Sequence, residues 1–184
     1  MIVTARLTLR RARMEDLADV HAMLSQPAAM RYWSTPEHET LEESRKWLEG
    51  MVAEAPGEDD FLIEHQGRVI GKAGAWRMPE VGFLLHPDFW GKGLAHEAMV
   101  AVIAHLFAAH DMAELTAEAD PRNAASLRLL GRLGFVETGR AKRTMQWRDE
   151  WCDSVYLALR RPASRPGILE NSGSEPLKAP VRFL

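Results

Sequence analysis

Residues 90–97 read Trp-Gly-Lys-Gly-Leu-Ala-His-Glu, with two glycines one residue apart between a strand-like segment and a long amphipathic run. The apolar pattern of residues 80–86 is typical of a strand that Pro87 ends, and helical spacing begins at Leu94. Glycine adopts backbone conformations closed to other residues, so such a loop can gather several N–H groups at a helix N-terminus, where a phosphate binds well. A tight turn without a ligand explains a lone Gly-x-Gly pair equally well, so the context has to decide.

The loop does not match the two best-known nucleotide-binding patterns. The Gly-x-x-x-x-Gly-Lys spacing of a Walker loop is absent. A Rossmann fingerprint needs a third glycine at position 96, where the chain has His96, and it needs a βαβ unit where the preceding strands form a meander.

Local signals predict the remaining elements. Thr40 and Glu43 form a capping box, Gln66-Gly67 is typical of a hairpin turn, and Asn123 suits a helix N-cap. The predicted strands are 2–9, 61–64, 69–76, 80–86, 114–119, 135–139 and 155–159, and the predicted helices are 14–24, 41–52, 94–107 and 124–133. This order predicts an α/β (α+β) domain over residues 1–161 in which the strands flanking the long helix run parallel.

The composition disfavours several classes of protein. The chain has 184 residues, 46% of them hydrophobic, which is enough for a domain with its own core. A net charge of −3 disfavours nucleic acid as the main partner, and no apolar run is long enough to cross a membrane. Cys152 is the only cysteine, so no internal disulfide and no cysteine-based metal site is expected. Because no signal-peptide pattern is visible, we expect the protein in the cytoplasm.

Residues 162–184 differ from the rest, with four of the ten prolines and little periodicity. We interpret them as an extended or disordered tail. The alternative is an arm that packs on a partner subunit through Val181, Phe183 and Leu184.

Taken in order, these segments resemble the GCN5-related N-acetyltransferase (GNAT) superfamily and, within it, the RimJ/RimL-type branch of ribosomal-protein-alanine acetyltransferases. Gly93 and Ala95 match the superfamily loop [Gln/Arg]-x-x-Gly-x-[Gly/Ala], and Trp90 at its first position is typical of the branch. The resemblance covers residues 3–160 and rests on the segments 4–10, 15–17, 80–85, 89–98, 123–126 and 133–135.

The resemblance implies a mixed, mostly antiparallel central sheet flanked by helices and splayed at the acetyl-CoA site. The N–H groups of residues 91–96 would hold the pyrophosphate, and the pantetheine arm would lie along residues 81–85 like an added strand. The cofactor-binding residues that it implies are Phe83, Leu84, Leu85, Trp90, Gly91, Lys92, Gly93, Leu94, Ala95, His96, Asn123 and Ser126.

Acetyl transfer requires that the amine lose a proton and that the departing thiolate be protonated. By the resemblance, Glu80 stands where many members of the superfamily place a carboxylate base, although a solvated glutamate at a strand end is the alternative. Glu97 is explained by favourable charge at a helix N-terminus. His86 and His96 can also accept a proton, but a surface position is the more frequent outcome for each.

Many superfamily members protonate the thiolate with a tyrosine seven residues after the motif asparagine, where this chain has Leu130. Ser126 is the replacement that the branch implies, although a hydroxyl is a poor acid. Tyr32 and Tyr156 are the only tyrosines in the chain, and for Tyr156 we expect a place in the sheet.

The acceptor site is expected near residues 31–35, Trp76 and residues 147–151. We expect Trp47 and Trp76 in the core. Tyr32, Trp33 and Trp147 are the candidates for binding the acceptor, because Trp33 and Trp147 lie in loop-like sequence.

The sequence therefore predicts an acetyl-CoA-dependent N-acetyltransferase that acts by direct attack of a primary amine in a ternary complex. The acceptor is a protein N-terminus or a small-molecule amine, and a homodimer is modestly favoured. An acyl-CoA-binding sensor or interaction protein without catalysis is the first alternative, and a nucleotide-binding domain is the second.

Overall fold

The computed structural model describes residues 1–162, whose strands form one eight-stranded sheet. The strands are β1 (Ile2–Val3), β2 (Thr8–Arg10), β3 (Asp59–His65), β4 (Arg68–Arg77), β5 (Glu80–Leu85), β6 (Glu114–Ala119), β7 (Val136–Trp147) and β8 (Glu150–Arg160). The helices are α1 (Leu17–Leu24), α2 (Pro27–Met30), α3 (Leu41–Ala53), α4 (Leu94–Ala109) and α5 (Ala124–Arg132). Residues 163–184, nearly all of the predicted tail, lie outside the described part of the chain.

The strand order is β1-β2-β3-β4-β5-β6-β8-β7, and every neighbouring pair is antiparallel except β5 with β6. The long helix α4 connects these two parallel strands, as a crossover connection requires. The predicted mixed, mostly antiparallel sheet flanked by helices is therefore confirmed.

Several local predictions are also confirmed. Thr40 and Glu43 form the capping box of α3, and Gln66 and Gly67 turn the β3–β4 hairpin with positive φ angles. Asn123 Oδ1 accepts the Ser126 N–H at 3.1 Å, which caps α5. Each of these signals lies within four residues, so the sequence alone carries it.

The prediction of one strand over residues 2–9 is wrong. The chain turns between β1 and β2, where the Thr4 N–H donates to the Leu7 carbonyl at 2.9 Å. The predicted apolar face is divided accordingly, because Leu7 and Leu9 are buried whereas Val3 is exposed.

The predicted C-terminal strands are too short, since β7 and β8 form a hairpin that spans nearly all of residues 136–160. The prediction that Trp147 lies in a loop is wrong, because it ends β7 and pairs with Glu150. Much of β7 is exposed and polar, so it lacks the apolar alternation by which a strand is recognised.

Two hydrophobic clusters cover the two faces of the sheet. One holds α4 and α5 against the strands, with Val81 and Leu85 of β5 in it, and the other holds α1 and α3, with Leu84 of β5 in it. The alternation along β5 follows from the two-residue period of a strand. Trp47 packs partly buried on the second cluster, whereas the expectation of a core position for Trp76 is wrong, because it is 44% exposed.

Asp59 fixes the far end of α4 to the sheet. The buried carboxylate of Asp59 lies 2.8 Å from His105 Nε2 and 2.7 Å from His110 Nε2, and Arg11 pairs with it at 2.9 Å. Burial raises the pKa of Asp59, but the hydrogen bonds from His110 and His105 outweigh burial and hold the pKa below its usual value. With its C-terminal end anchored, α4 presents its N-terminus at a fixed place beside β5.

Candidate functional site

The gap between β5 and β6 is the part of the sheet best suited to a ligand. The two parallel strands pair only at Glu80 and Thr116. Two residues further along each strand, Gly82 and Glu118 lie on opposite sides of the gap, and no ladder pairing joins them. Because no strand among residues 1–162 pairs with this side of β5 beyond Glu80, an extended ligand can bind along it as an additional strand does.

The glycine loop lies at the open end of this gap. Gly91 and Gly93 have φ angles of +73° and +74°, which L side chains rarely adopt. A Cβ at Gly91 would meet nothing within 4 Å, so glycine is required there for its conformation and not for space. None of residues 91–96 donates its backbone N–H to another group within residues 1–162. These N–H groups and the positive end of the α4 dipole form a cradle that fits a pyrophosphate.

The side chains of the predicted cofactor segment are mostly engaged in packing. Leu84, Leu85 and Leu94 are buried, and Phe83 and Ala95 pack partly buried on the core, so these residues can offer a ligand chiefly their backbone groups. The half-buried His96 lies in the first turn of α4, and Lys92 Nζ is 5.2 Å from the centre of the Phe89 ring.

Trp90 and His86 hold the chain between β5 and the loop. The Trp90 indole N–H donates to the Leu85 carbonyl at 2.7 Å, which caps the end of β5. His86 Nδ1 accepts the Asp88 N–H at 3.2 Å, so this nitrogen is engaged in the turn. Trp90, the tryptophan at the start of the loop, therefore has a structural role.

A clamp formed by Arg6 and Glu97 supports the loop and escapes prediction from sequence. Glu97 accepts hydrogen bonds from Thr4 Oγ1 (2.7 Å), from the Arg6 N–H (2.8 Å) and from Arg6 Nε (2.6 Å). Arg6 Nη1 also donates to the Lys92 carbonyl at 2.9 Å. Burial raises the pKa of Glu97, but the bonds from Thr4 and Arg6 outweigh it, so the pKa lies below its usual value. No local pattern reports a contact between residues 91 positions apart.

Asn123 and Ser126 lie at the N-terminus of α5, which follows β6 in the chain. Since Asn123 Oδ1 caps the helix, it holds the first turn in place. Leu130, at the position where the resemblance implies a tyrosine, is buried in the hydrophobic cluster that holds α4 and α5. Ser126 is half-buried and keeps its hydroxyl as the polar group of this turn.

Two carboxylates lie beside the gap. Glu80 lies where β5 and β6 are still paired, and Arg77 Nη2 is 3.6 Å from it. Glu118 lies on β6 across from Gly82, and the buried Ser154 hydroxyl donates to it. Glu118 makes no ion pair with a residue of the described chain. Sequence analysis missed Glu118, because a charged residue in a short strand carries no signal of its own.

Aromatic side chains from distant segments lie near β5 or near Arg31. Trp33 Cη2 lies 3.9 Å from the position that a Cβ of Gly82 would occupy, so the predicted acceptor residue does reach β5. Arg31 contacts both Tyr32 and Trp147, with its Cζ 5.3 Å and 4.8 Å from their ring centres. The structure therefore brings Tyr32, Trp33 and Trp147 to one region.

Comparison with known proteins identifies the family. The model of the acetyltransferase (GNAT) domain matches residues 6–136. The chain belongs to the GNAT acetyltransferase family.

Individual GNAT relatives agree with this assignment. The chain is 28% identical to the uncharacterized N-acetyltransferase YnaD of Bacillus subtilis over 86% of this chain and 95% of that protein. It is 33% identical to the [ribosomal protein uS5]-alanine N-acetyltransferase of Escherichia coli over 51% of this chain and 48% of that protein, as expected for the RimJ/RimL-type branch. A crystal structure of a GNAT-family acetyltransferase from Bacillus anthracis has the same fold, with a TM-score of 0.77 and 23% identity over 86% of this chain and 97% of that one.

This GNAT protein is therefore an N-acetyltransferase, as predicted. The family uses acetyl-CoA, and the gap and the glycine loop fit that cofactor. None of the helices in residues 1–162 is long and apolar enough to span a membrane.

Proposed function

We propose that this enzyme transfers the acetyl group of acetyl-CoA to a primary amine by direct attack in a ternary complex. The observation that carries the proposal is the gap between β5 and β6, which ends at the unpaired N–H groups of residues 91–96. A site with donors for a diphosphate at one end and a free strand edge along its length suits acetyl-CoA.

The cofactor would bind chiefly through main-chain groups. Residues 91–96 would hold the pyrophosphate, with Lys92 near the phosphates and Trp90 fixing the end of β5. The pantetheine arm would lie along Phe83, Leu84 and Leu85 as far as Asn123 and Ser126. Acetyl-CoA supplies the activated acetyl group, and the chain's own residues supply binding, orientation and proton transfer.

In the reaction, the amine nitrogen forms a bond to the thioester carbonyl carbon, the carbon–sulfur bond breaks, and coenzyme A leaves as a thiolate. A carboxylate takes the proton of the incoming amine. Glu80 is the base predicted from the sequence, and Glu118 is a second candidate. The geometry favours Glu118, because it faces Gly82 across the gap, whereas Glu80 lies at the closed end beside Arg77.

Ser126 would stabilise the thiolate by donating a hydrogen bond to it. A serine hydroxyl is too weak an acid to protonate the thiolate efficiently. The proton that the thiolate takes up would therefore come from solvent or from the conjugate acid of the base. Ser126 would therefore contribute moderately to the rate.

Two measurements test the proposed function. Calorimetry should show acetyl-CoA binding more tightly than ATP or NAD, and a thiol-release assay over an amine panel should show turnover. Cofactor binding without turnover on any amine would favour a non-catalytic acyl-CoA-binding protein, and tighter binding of ATP or NAD would favour a nucleotide-binding protein.

The acceptor is a protein N-terminus or a small-molecule amine. A homodimer and a cytoplasmic location stay predictions, which sedimentation analysis and cell fractionation would test.

A further inference from the structure

Three buried polar atoms that have no hydrogen-bond partner among residues 1–162 lie beside the proposed acceptor site. They are Arg31 Nη1, Trp147 Nε1 and Glu37 Oε2. Buried polar groups in folded proteins are nearly always paired, so three orphans in one place need an explanation. Arg31 and Trp147 are in direct contact, since Arg31 Cζ lies 4.8 Å from the centre of the Trp147 ring.

The chemistry of these atoms defines the missing partner. A guanidinium N–H and an indole N–H can only donate, so Arg31 and Trp147 both require an acceptor such as a carbonyl or carboxylate oxygen. The ionised Glu37 carboxylate can only accept, so its free oxygen requires an N–H group. A ligand that carries both an oxygen and an N–H offers the kinds of partner that these three atoms lack.

The ion pairs that cover this cluster are weak enough to exchange. Arg31 Nη2 lies 3.3 Å from Glu150, and Arg148 pairs with Glu37, and all four of these side chains are partly exposed. Exposed ion pairs contribute little to stability, so these two pairs can break at low cost when a ligand enters. An oxygen that enters between them gives the two donors the acceptor that they lack.

The cluster adjoins the point where the amine would react. Arg31 is two residues before Trp33, whose ring covers Gly82. An acceptor that reacts beside Gly82 would therefore extend toward Arg31. A polyamine has no oxygen, and it would place a cation against Arg31 and Arg148, which both lie within 5 Å of the Trp147 ring centre.

We propose that Arg31 and the Trp147 indole N–H form a subsite for the carbonyl or carboxylate oxygen of an α-amino acyl acceptor. This inference rests on the proposed function and names its substrate class. The oxygen comes either from the carboxylate of a free amino acid or from the first carbonyl of a peptide N-terminus. Arg31 is then a residue that determines specificity, and Glu37 receives an N–H of the same acceptor.

The test compares acceptors that differ in the oxygen-bearing group. Thiol release is measured with Ala-Ala-Ala, L-alanine, isopropylamine and spermidine, in the wild type and in Arg31→Met, Arg31→Lys and Trp147→Phe. Isopropylamine keeps the branched carbon and the amine of alanine but lacks the oxygen. For each variant, the ratio of kcat/KM between two acceptors is compared with the same ratio in the wild type. This comparison cancels the difference in amine basicity between the acceptors.

We expect Arg31→Met to lower kcat/KM for the alanine acceptors about tenfold, mainly through KM, because a hydrogen bond to a charged group is lost. Activity with isopropylamine should stay the same. Arg31→Lys should recover part of the loss, and Trp147→Phe should cost about threefold, since it removes only one neutral donor. A larger effect of Arg31→Met on L-alanine than on Ala-Ala-Ala identifies the free amino acid as the source of the oxygen, and the reverse identifies the peptide.

Arg45→Met is the matched control, because Arg45 makes an exposed ion pair with Glu42 on α3. It should leave every ratio unchanged. Equal losses with all acceptors in Arg31→Met, or no loss, would overturn the subsite.

Turnover of spermidine or isopropylamine but of neither alanine acceptor would overturn the subsite and leave acetyl transfer standing. Absence of both acetyl-CoA binding by calorimetry and transfer to any amine would overturn the subsite together with the proposed function.

Discussion

The cofactor side and the acceptor side of the gap are built in different ways. The cofactor side consists of one continuous stretch, β5, the glycine loop and the first turn of α4, and it offers mainly backbone groups. The acceptor side consists of side chains from residues 31–37 and from the β7–β8 hairpin, more than 100 positions further along the chain. In the proposed site, the backbone of the loop would bind the cofactor, which is the same in every enzyme of the family, whereas side chains brought together by the fold can differ from one enzyme to another.

The largest effect is expected from the proposed base, Glu118 on β6, which would take the proton of the acceptor's amine. Glu118→Gln should lower kcat about 100-fold, because positioned bases contribute at least that much to proton transfer. Acetyl-CoA affinity, measured by calorimetry, should not change. Glu80→Gln is the matched variant, and we expect it to lose less than about tenfold in kcat. A larger loss in Glu80→Gln would mean that Glu80, the base predicted from the sequence, takes the proton of the amine.

On the cofactor side, Gly93→Ala should raise the Kd of acetyl-CoA about tenfold. Alanine at a φ of +74° is strained by roughly 1–2 kcal/mol, so the loop would relax away from the cradle. Gly50→Ala in α3 is the control, because a Cβ there meets nothing within 4 Å, and it should leave Kd unchanged. An unchanged Kd in Gly93→Ala would remove the loop from the cofactor site.

Ser126→Ala tests the residue at the boundary between the two sides. We expect kcat to fall about fivefold, since a hydroxyl that only hydrogen-bonds to the thiolate contributes less than a true acid. The Kd of acetyl-CoA should change little. A loss beyond about 100-fold would mean that Ser126 acts as the proton donor itself.

The smallest effect is expected from the clamp behind the loop. Glu97→Gln should raise the Kd of acetyl-CoA about threefold, which matches the modest contribution of a partly exposed ion pair. Because the pKa of Glu97 is held below its usual value, the ionised clamp contributes stability above the unfolded pKa and loses it as the pH falls through the folded pKa. The difference in unfolding midpoint between wild type and variant should therefore shrink below about pH 4. A difference that grows on acidification would contradict this account of the clamp.

The contrast between the two sides also explains what the sequence could predict. The glycine loop, the α3 capping box and the Asn123 cap are local signals, and each was predicted at the correct residues. The same holds for the order of elements that gives the parallel pair β5 and β6.

The features that the sequence did not predict depend mainly on contacts between distant residues. The contact of Arg6 with Glu97 and the position of Arg31 against Trp147 arise only when the sheet has formed. The length of β7 was underestimated because its exposed, charged sequence does not alternate. The turn after Val3 was missed because the alternation of residues 2–9 continues through it.

The central claim is that the backbone of residues 91–96 and β5 holds acetyl-CoA. The most direct test is to follow the backbone amide NMR signals of the ¹⁵N-labelled protein while acetyl-CoA is added. We predict that the largest shifts occur at residues 91–96 and along residues 82–85, with small shifts at residues 31–37. Saturable shifts centred anywhere else, or no shifts at millimolar acetyl-CoA, would contradict the claim.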